Sequence, residues 1–306
     1  MSAVITVLVP EESGLDVVAG IDGVRVARYD PDKPLPDHLR HAEVLVPDNP
    51  PTGMVKERVA ELPNLRLVQL LTADAESWIG QTPDGVLLST CRGAHGGSTA
   101  EWVMTALLTI YREFPWFSAA ASQHRWCPKR TDTLQGKQVL VLGAGDVGRQ
   151  LRRRLEAFDA RVPMVGLTPR DGVYGVEELP ALLRWQDVVA LAVPLTSRTE
   201  GMVDAGFLAA MPDGAVLVNA ARGPVVHTDA LVAELRNGRL RVALDVTDPE
   251  PLPTDHPLWT VPGLLLTPHV GGSCHGAQER SYAVAARQIA QFVSGELPDN
   301  LVHGEY

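Results

Sequence analysis

The residues best suited to chemistry stand in the last third of the chain, each just after an apolar run. His269 lies in Thr267-Pro-His-Val-Gly-Gly272, and Glu250 in Leu244-Asp-Val-Thr-Asp-Pro-Glu-Pro-Leu-Pro253. A histidine and a carboxylate brought together can hold and hand over a proton near neutral pH. Spacing alone does not single out this pair. Asp245, Asp248 and Asp255 compete with Glu250, and His256 and His275 compete with His269. Arg222 closes an apolar strand pattern in Asn219-Ala-Ala-Arg-Gly-Pro-Val-Val226. A guanidinium just past a strand's carboxyl end can bind a carboxylate and polarise a carbonyl oxygen. A surface ion pair is the alternative.

A second chemistry is written in Gly143-Ala-Gly145-Asp-Val-Gly148, which follows the apolar run Val139–Leu142 and opens a helical pattern. In that context a GxGxxG is a dinucleotide-binding signal. Gly143 permits the tight turn, Gly145 lets the backbone approach a pyrophosphate, and Gly148 lets helix and strand pack closely. The helix N-terminus, at Asp146 and Val147, offers N–H groups and partial positive charge to phosphates. About 20 residues on, an NAD site carries a carboxylate for the adenosine ribose. Here no acid occurs between Asp159 and Asp171, and Gly166 takes the expected place, followed by Thr168 and Arg170. Losing the carboxylate removes repulsion of a 2′-phosphate, and Arg170 supplies a counter-charge. These residues predict NADP(H), with NAD(H) the alternative and a solvated loop arginine the bland reading of Arg170.

The elements that must position these groups alternate strand and helix. Strands are expected at Ile5–Val9, Val24–Tyr29, Val44–Pro47, Leu67–Leu70 and Val86–Ser89, with a helix at Thr52–Glu61. Thr99–Ala121 reads as one long helix that Pro115 should bend or divide. A second series follows at Gln138–Leu142, Val162–Leu167, Val188–Val193, Ala215–Asn219, Val242–Val246 and Leu264–Thr267. Helices are expected at Val147–Phe158, Phe207–Met211 and Asp229–Asn237, and a final one at about Gln278–Ser294. The pattern predicts an α/β protein with two doubly wound parallel sheets and a cleft between their domains. Ligands of such folds bind at the carboxyl ends of the strands.

Composition bounds the rest. The 306 residues suggest about two domains. Lys+Arg total 27 against 37 Asp+Glu, a net charge of −10 that argues against nucleic acid and anionic membranes as partners. The three cysteines, Cys91, Cys127 and Cys274, form no metal-ligand spacing and fit a reducing, cytoplasmic setting. No basic residue precedes the first apolar run and Glu11 and Glu12 close it, so it reads as a strand rather than a signal peptide. No apolar stretch approaches the ~20 residues of a membrane span.

Taken in order, GAGDVG, VPLTSRTEGMV, VNAARGPVV, LDVTDPEPLP and TPHVGG resemble the D-isomer-specific 2-hydroxyacid dehydrogenases, strongly over about Ser98–Gly272 and in architecture alone before that. The resemblance implies a flavodoxin-like substrate domain over 1–97, completed by a returning segment 276–306, and a Rossmann domain over 98–275. It implies that Arg222 binds substrate, that His269 is the proton donor or acceptor, and that Glu250 is its partner. Thr72 and Ala73 would bind the substrate carboxylate. Thr99, Pro194, Thr199, Ala221, Asp245 and Gly271 would line the cofactor site, Asp245 near the nicotinamide. A homodimer is implied, and Trp102, Trp116, Phe117 and Trp126 crowd the interdomain helix and the segment after it.

The expected activity is reduction of a small 2-oxo acid, glyoxylate or hydroxypyruvate first. Formate needs no such proton transfer, so the Glu250–His269 pair argues against it. The sequence departs from the family at Asp74, where glycine is common, and at His227, where an acid is usual. Phosphoglycerate or phosphite dehydrogenases are alternatives, with Arg92 a candidate extra cation. A dinucleotide-sensing binding protein of the same fold is another.

Overall fold

In the computed structural model, which describes residues 4–48 and 55–304, strands form where successive apolar side chains are covered on both faces. The chain divides into two units, Met1–His95 with His275–Tyr306, and Gly96–Cys274.

In the first unit the strands are β1 (Ile5–Val9), β2 (Val24–Arg28), β3 (Val44–Leu45), β4 (Leu67–Gln69) and β5 (Leu87–Ser89). They pair in parallel in the order β2-β1-β3-β4-β5, the flavodoxin-like order. Alternate side chains serve opposite layers. Val7, Val9, Val44 and Leu67 pack with Tyr282, Ile289 and Phe292 of the last helix, while Leu8, Leu45 and Val68 pack with Tyr29, Leu39 and Trp78. Helix α1 (Glu12–Ala19) carries Gly14, where a Cβ would stand 2.5 Å from the Tyr282 ring. The chain's end closes the β5 edge: Leu301 bridges Ser89 antiparallel, and buried Asn300 donates through Nδ2 to the Thr90 and Arg92 carbonyls. Helix α2 spans Val55–Ala60, and Thr52–Met54 of the expected helix fall outside the described residues.

The second unit opens on the stretch Thr99–Ala121, expected as a helix that Pro115 bends or divides; it is divided, into α3 (Gly96–Tyr111) and α4 (Phe114–Ser122). Glu113 between them adopts φ 51°. Inside a continuous helix the Pro115 ring would collide with the carbonyl four residues back, whereas in the first turn of α4 its missing N–H is not needed.

The sheet runs β11-β10-β9-β8-β6-β7, all parallel. Its strands are β6 (Val139–Leu142), β7 (Met164–Val165), β8 (Val188–Leu191), β9 (Val216–Asn219), β10 (Arg241–Leu244) and β11 (Leu264–Leu266). Helices α5 (Asp146–Glu156), α6 (Leu179–Leu183), α7 (Ala205–Ala210) and α8 (Thr228–Arg236) connect them. Asn237 and Gly238, at φ 65°, stop α8 as their chemistry predicts.

Dinucleotide folds place a third strand outside the second. Here that strand is reduced to one parallel bridge, Val165 with Tyr174. The expected strand Val162–Leu167 shrinks to two residues because Pro163 and Pro169, on either side, cannot donate to a ladder. Helix α9 (Ala277–Ser294) returns to the first unit.

Candidate active site

Strands β9, β10 and β11 are neighbours, so the segments bearing Arg222, Asp245–Glu250 and His269 leave one carboxyl edge side by side. Asp245 organises them. Its carboxylate is 4% exposed and accepts from Thr267 Oγ1 at 2.6 Å, Val270 N at 2.8 Å and Gly271 N at 2.7 Å. Its carbonyl accepts from His269 N at 2.7 Å. Four hydrogen bonds thus wrap the Thr267–Gly271 loop around one side chain and its backbone. A Cβ on Gly271 would stand 2.8 Å from Asp245 Oδ2 and push that carboxylate away. The loop holds His269 at φ 54°, a conformation residues with a Cβ rarely adopt.

Held there, His269 Nδ1 meets Glu250 Oε1 at 2.6 Å. Glu250 Oε2 lies 3.4 Å from the Thr247 N–H that donates to it. With Nδ1 engaged, Nε2 is the ring atom left to exchange a proton. Both side chains are about half exposed.

The Arg222 turn is held by Asn219, buried at the end of β9. Its Nδ2 donates to the Arg222 carbonyl at 2.9 Å, and its Oδ1 accepts from Ala221 N at 3.0 Å. Arg222 Nη1 donates to the Ala221 carbonyl at 2.7 Å. A Cβ on Gly223 would fall 1.8 Å from the Thr247 carbonyl, so the arginine turn and the Glu250 loop touch backbone to backbone.

At the other end of the same edge stands the glycine-rich turn. A Cβ at Gly143 would meet Ala192 O at 2.2 Å, and one at Gly148 would meet Gly143 O at 1.9 Å. Both glycines serve close packing. Gly145 differs: it is exposed, and its Cβ would meet no atom within 4 Å. Beside it begins α5, whose first-turn N–H groups at Asp146 and Val147 have no helical carbonyl to reach. The Asp146 carboxylate lies over Gly96 at the start of α3, where a Cβ would stand 1.9 Å from Oδ2. Thr99 is half-buried one turn further on. Thr199 Oγ1 donates to the Pro194 carbonyl at 2.7 Å, closing the loop after β8.

Arg170 is fixed by a tight hairpin: its N–H donates to Val173 O at 3.0 Å and its carbonyl accepts from Val173 N at 2.8 Å, with Gly172 at φ 71°. Its side chain turns back over the glycine-rich segment, Nη2 donating to Ala144 O at 3.0 Å and Nη1 reaching Thr168 O at 3.4 Å. Gly166 is buried beneath it: a Cβ there would stand 3.0 Å from Val173 Cγ1, 3.3 Å from Ala144 Cβ and 3.8 Å from Arg170 Nη1, so a larger residue would displace this hairpin.

In the first unit, Thr72 Oγ1 donates to the Asp74 carbonyl at 2.8 Å, and the Thr72 carbonyl accepts from Cys91 N at 2.6 Å. Ala73 lies in this turn. Sequence reading gave no role to Asn219, Thr247 or Thr267; a buried Asn ending a Val-Leu-Val strand was the one visible signal. No cluster of His, Cys, Asp and Glu able to hold a metal occurs among the described residues, and no helix among them is long and apolar enough to cross a membrane.

The model of the D-isomer specific 2-hydroxyacid dehydrogenase NAD-binding domain matches residues 104–271, more than half of the chain. The chain belongs to this family. Among its dehydrogenase relatives is human glyoxylate reductase/hydroxypyruvate reductase, 33% identical over 236 residues, which are 73% of this chain and 69% of that protein. D-3-phosphoglycerate dehydrogenase of Methanocaldococcus jannaschii is 29% identical over 95% of this chain and 57% of its own length. The chain therefore spans little more than half of that relative. Among solved structures, the family member from Xanthobacter autotrophicus Py2 in complex with NADPH and MES superposes with a TM-score of 0.82 at 28% identity, covering 99% of this chain and 98% of that one. The NADPH-dependent glyoxylate/hydroxypyruvate reductase of Sinorhizobium meliloti, in complex with NADP and sulfate, gives 0.81 at 25% identity over 99% of both chains.

The residues present fit the dinucleotide that this family's domain binds. Gly145 has open space over its backbone and the α5 N-terminus begins beside it, as the approach of a pyrophosphate would require.

Proposed function

We propose that the protein is an NADP(H)-preferring reductase of small 2-oxo acids, with glyoxylate and hydroxypyruvate the first substrates to test. The observation that carries this reading is the 2.6 Å His269–Glu250 contact on a loop that Asp245 organises. A reduced nicotinamide, when bound, supplies the hydride to the carbonyl carbon. His269 supplies the proton from Nε2 to the carbonyl oxygen, so C=O becomes CH–OH and the ring is left neutral, to be reprotonated from water. Arg222 stabilises the developing charge on that oxygen and binds the neighbouring carboxylate. Glu250 fixes the ring's orientation through the Nδ1 contact. In the first unit, the proposal is that the Thr72–Ala73 turn recognises a carboxylate.

Thr99, Pro194, Thr199, Ala221 and Gly271 are assigned to the cofactor, with Gly143, Gly145, Asp146, Val147 and Gly148 at its pyrophosphate. Asp245 acts mainly through the loop it holds. Thr168 and Arg170 are assigned to a 2′-phosphate, which the exposed position of Arg170 supports. The NADPH and NADP bound in the two solved relatives agree with that preference.

We infer a homodimer built on the α4 region, supported by the exposure of Phe114, Trp116 and Trp126. The free cysteines fit a cytosolic protein.

Turnover of a panel of 2-oxo acids with NADPH and NADH tests the reading. His269→Ala should cut reduction by ~10²–10⁴-fold, the usual worth of a positioned acid. A wild-type protein that binds the dinucleotide yet reduces none of the panel sinks the assignment in favour of a dinucleotide sensor.

A further inference from the structure

Arg149, on the first turn of α5, has no part in the family motif, yet its side chain returns to the nucleotide end of the sheet. Its Nη1 donates to Ala144 O at 3.1 Å. Arg170 Nη2 donates to the same oxygen at 3.0 Å. One carbonyl, with its two lone pairs, therefore gathers two guanidiniums from different elements, a helix and a hairpin. Both side chains line one groove with Ala144, Met164 and Val173, four arginines in all against two carboxylates, Glu156, which pairs with Arg152, and Asp171.

The other arginines of the groove are already engaged. Arg152 Nε donates to Glu156 at 2.7 Å, and Arg153 Nη2 donates to Gln150 at 3.0 Å. Among the described residues no carboxylate forms an ion pair with Arg149 or Arg170. Two like charges brought together over a neutral carbonyl repel each other until an anion joins them. A Cβ on Gly166 would press on Val173 at 3.0 Å and Ala144 at 3.3 Å and stand 3.8 Å from Arg170 Nη1, so a side chain there would crowd three residues that line the groove.

We propose that Arg149 is a second specificity-determining residue, forming with Arg170 a two-guanidinium clamp for the 2′-phosphate of the dinucleotide. This rests on the NADP(H) reading above. The α5 helix thus contributes twice to the nucleotide: through its N-terminal amides at the pyrophosphate, and through Arg149 at the 2′-phosphate. A dianionic phosphate suits two planar donors better than one. Each charge-assisted contact is worth ~1.5–3 kcal/mol, which converts to roughly 10–100-fold in affinity.

The test uses the full chain and isothermal titration calorimetry with 2′,5′-ADP and 5′-AMP, alongside fluorescence titration with NADPH and NADH. Wild type should prefer 2′,5′-ADP over 5′-AMP. Arg149→Gln should lower that preference about tenfold or more, Arg149→Lys should restore part of it, and Arg149→Gln with Arg170→Ala should abolish it. Thermal melts establish that each variant is folded. If Arg149→Gln is folded and keeps the wild-type ratio while Arg170→Ala loses it, the clamp is wrong and Arg170 acts alone. If wild type binds 5′-AMP as tightly as 2′,5′-ADP, the NADP(H) reading fails and Arg149 fails with it.

Discussion

At the scale of single residues, the mechanism we propose gives Glu250 the orientation of a ring and His269 the transfer of its proton. Glu250→Ala leaves Nδ1 without the acceptor that orients the ring, whereas Glu250→Gln keeps one, so kcat should fall by roughly tenfold or more in the alanine variant and by less in the glutamine variant; wild-type kcat in both would remove Glu250 from the mechanism. This pair was legible in the sequence only through the order of motifs. Four acids and three histidines competed on spacing, and what separates Glu250 from Asp245 is burial. Asp245 is enclosed and spends its carboxylate on loop amides, whereas Glu250 reaches out to the ring. The partners that hold the site, Asn219 and Thr267, were not legible, because a polar side chain's worth there depends on which backbone groups the fold brings to it.

At the scale of elements, the glycine-rich turn joins a strand, a turn and a helix under different constraints at each glycine. Gly148→Ala would drive a Cβ onto the Gly143 carbonyl, backbone against backbone. We expect a loss of stability of ~3 kcal/mol or more, in the range of overpacked sites or beyond, or failure to fold. Gly145→Ala meets no atom within 4 Å, and its φ of −78° suits alanine. Its melting temperature should stay within a few degrees of wild type while dinucleotide affinity drops at least tenfold, as calorimetry with NADPH would measure. Equal destabilisation by the two substitutions would contradict the division of roles.

Other elements show where a linear reading stops. The strands were recognisable because both faces are covered, and their side chains are apolar without alternation. The break at Glu113 was anticipated as a bend or division at Pro115, but its position depends on where α4 starts, which the run Tyr-Arg-Glu-Phe-Pro does not reveal.

At the scale of the whole molecule, three buried tyrosines set an alkaline limit. Burial raises the phenol of Tyr29, of Tyr111 and of Tyr282 above its ordinary value near 10. For a group whose folded value is raised, the stabilisation is complete below the unfolded value and is lost as pH rises beyond it. Above pH ~10 each such phenol removes about 1.4 kcal/mol of stability per pH unit. Tyr29 and Tyr282 belong to the first unit and Tyr111 to the second. Alkaline pH should therefore weaken the first unit more steeply than the second, the more so because burial also pushes its Cys91 thiol up to about 12, with phenolate absorption from these residues rising only as structure is lost. Early ionisation of all three in a fully folded protein would argue against the packing described.

The aromatic surface makes a separate claim about assembly. Trp116 and Phe117 meet edge to face with centroids 4.9 Å apart, and Trp126 is 96% exposed. Light scattering at micromolar concentration should give the mass of a dimer, and Trp126→Ser with Phe114→Ser should shift it toward the monomer.

His269 carries a consequence that runs against its usefulness. A residue with a Cβ held in the left-handed region costs roughly 1–2 kcal/mol relative to glycine, and the ring's half-exposed contact with Glu250 returns little of it. Were the fold the sole concern of selection, this position would drift toward glycine. His269→Gly should accordingly melt at or above the wild-type temperature while reducing no substrate, and His269→Ala should melt below the glycine variant. If His269 makes the proton transfer we propose, function is held here against durability, and a screen for thermal tolerance alone would select against the histidine.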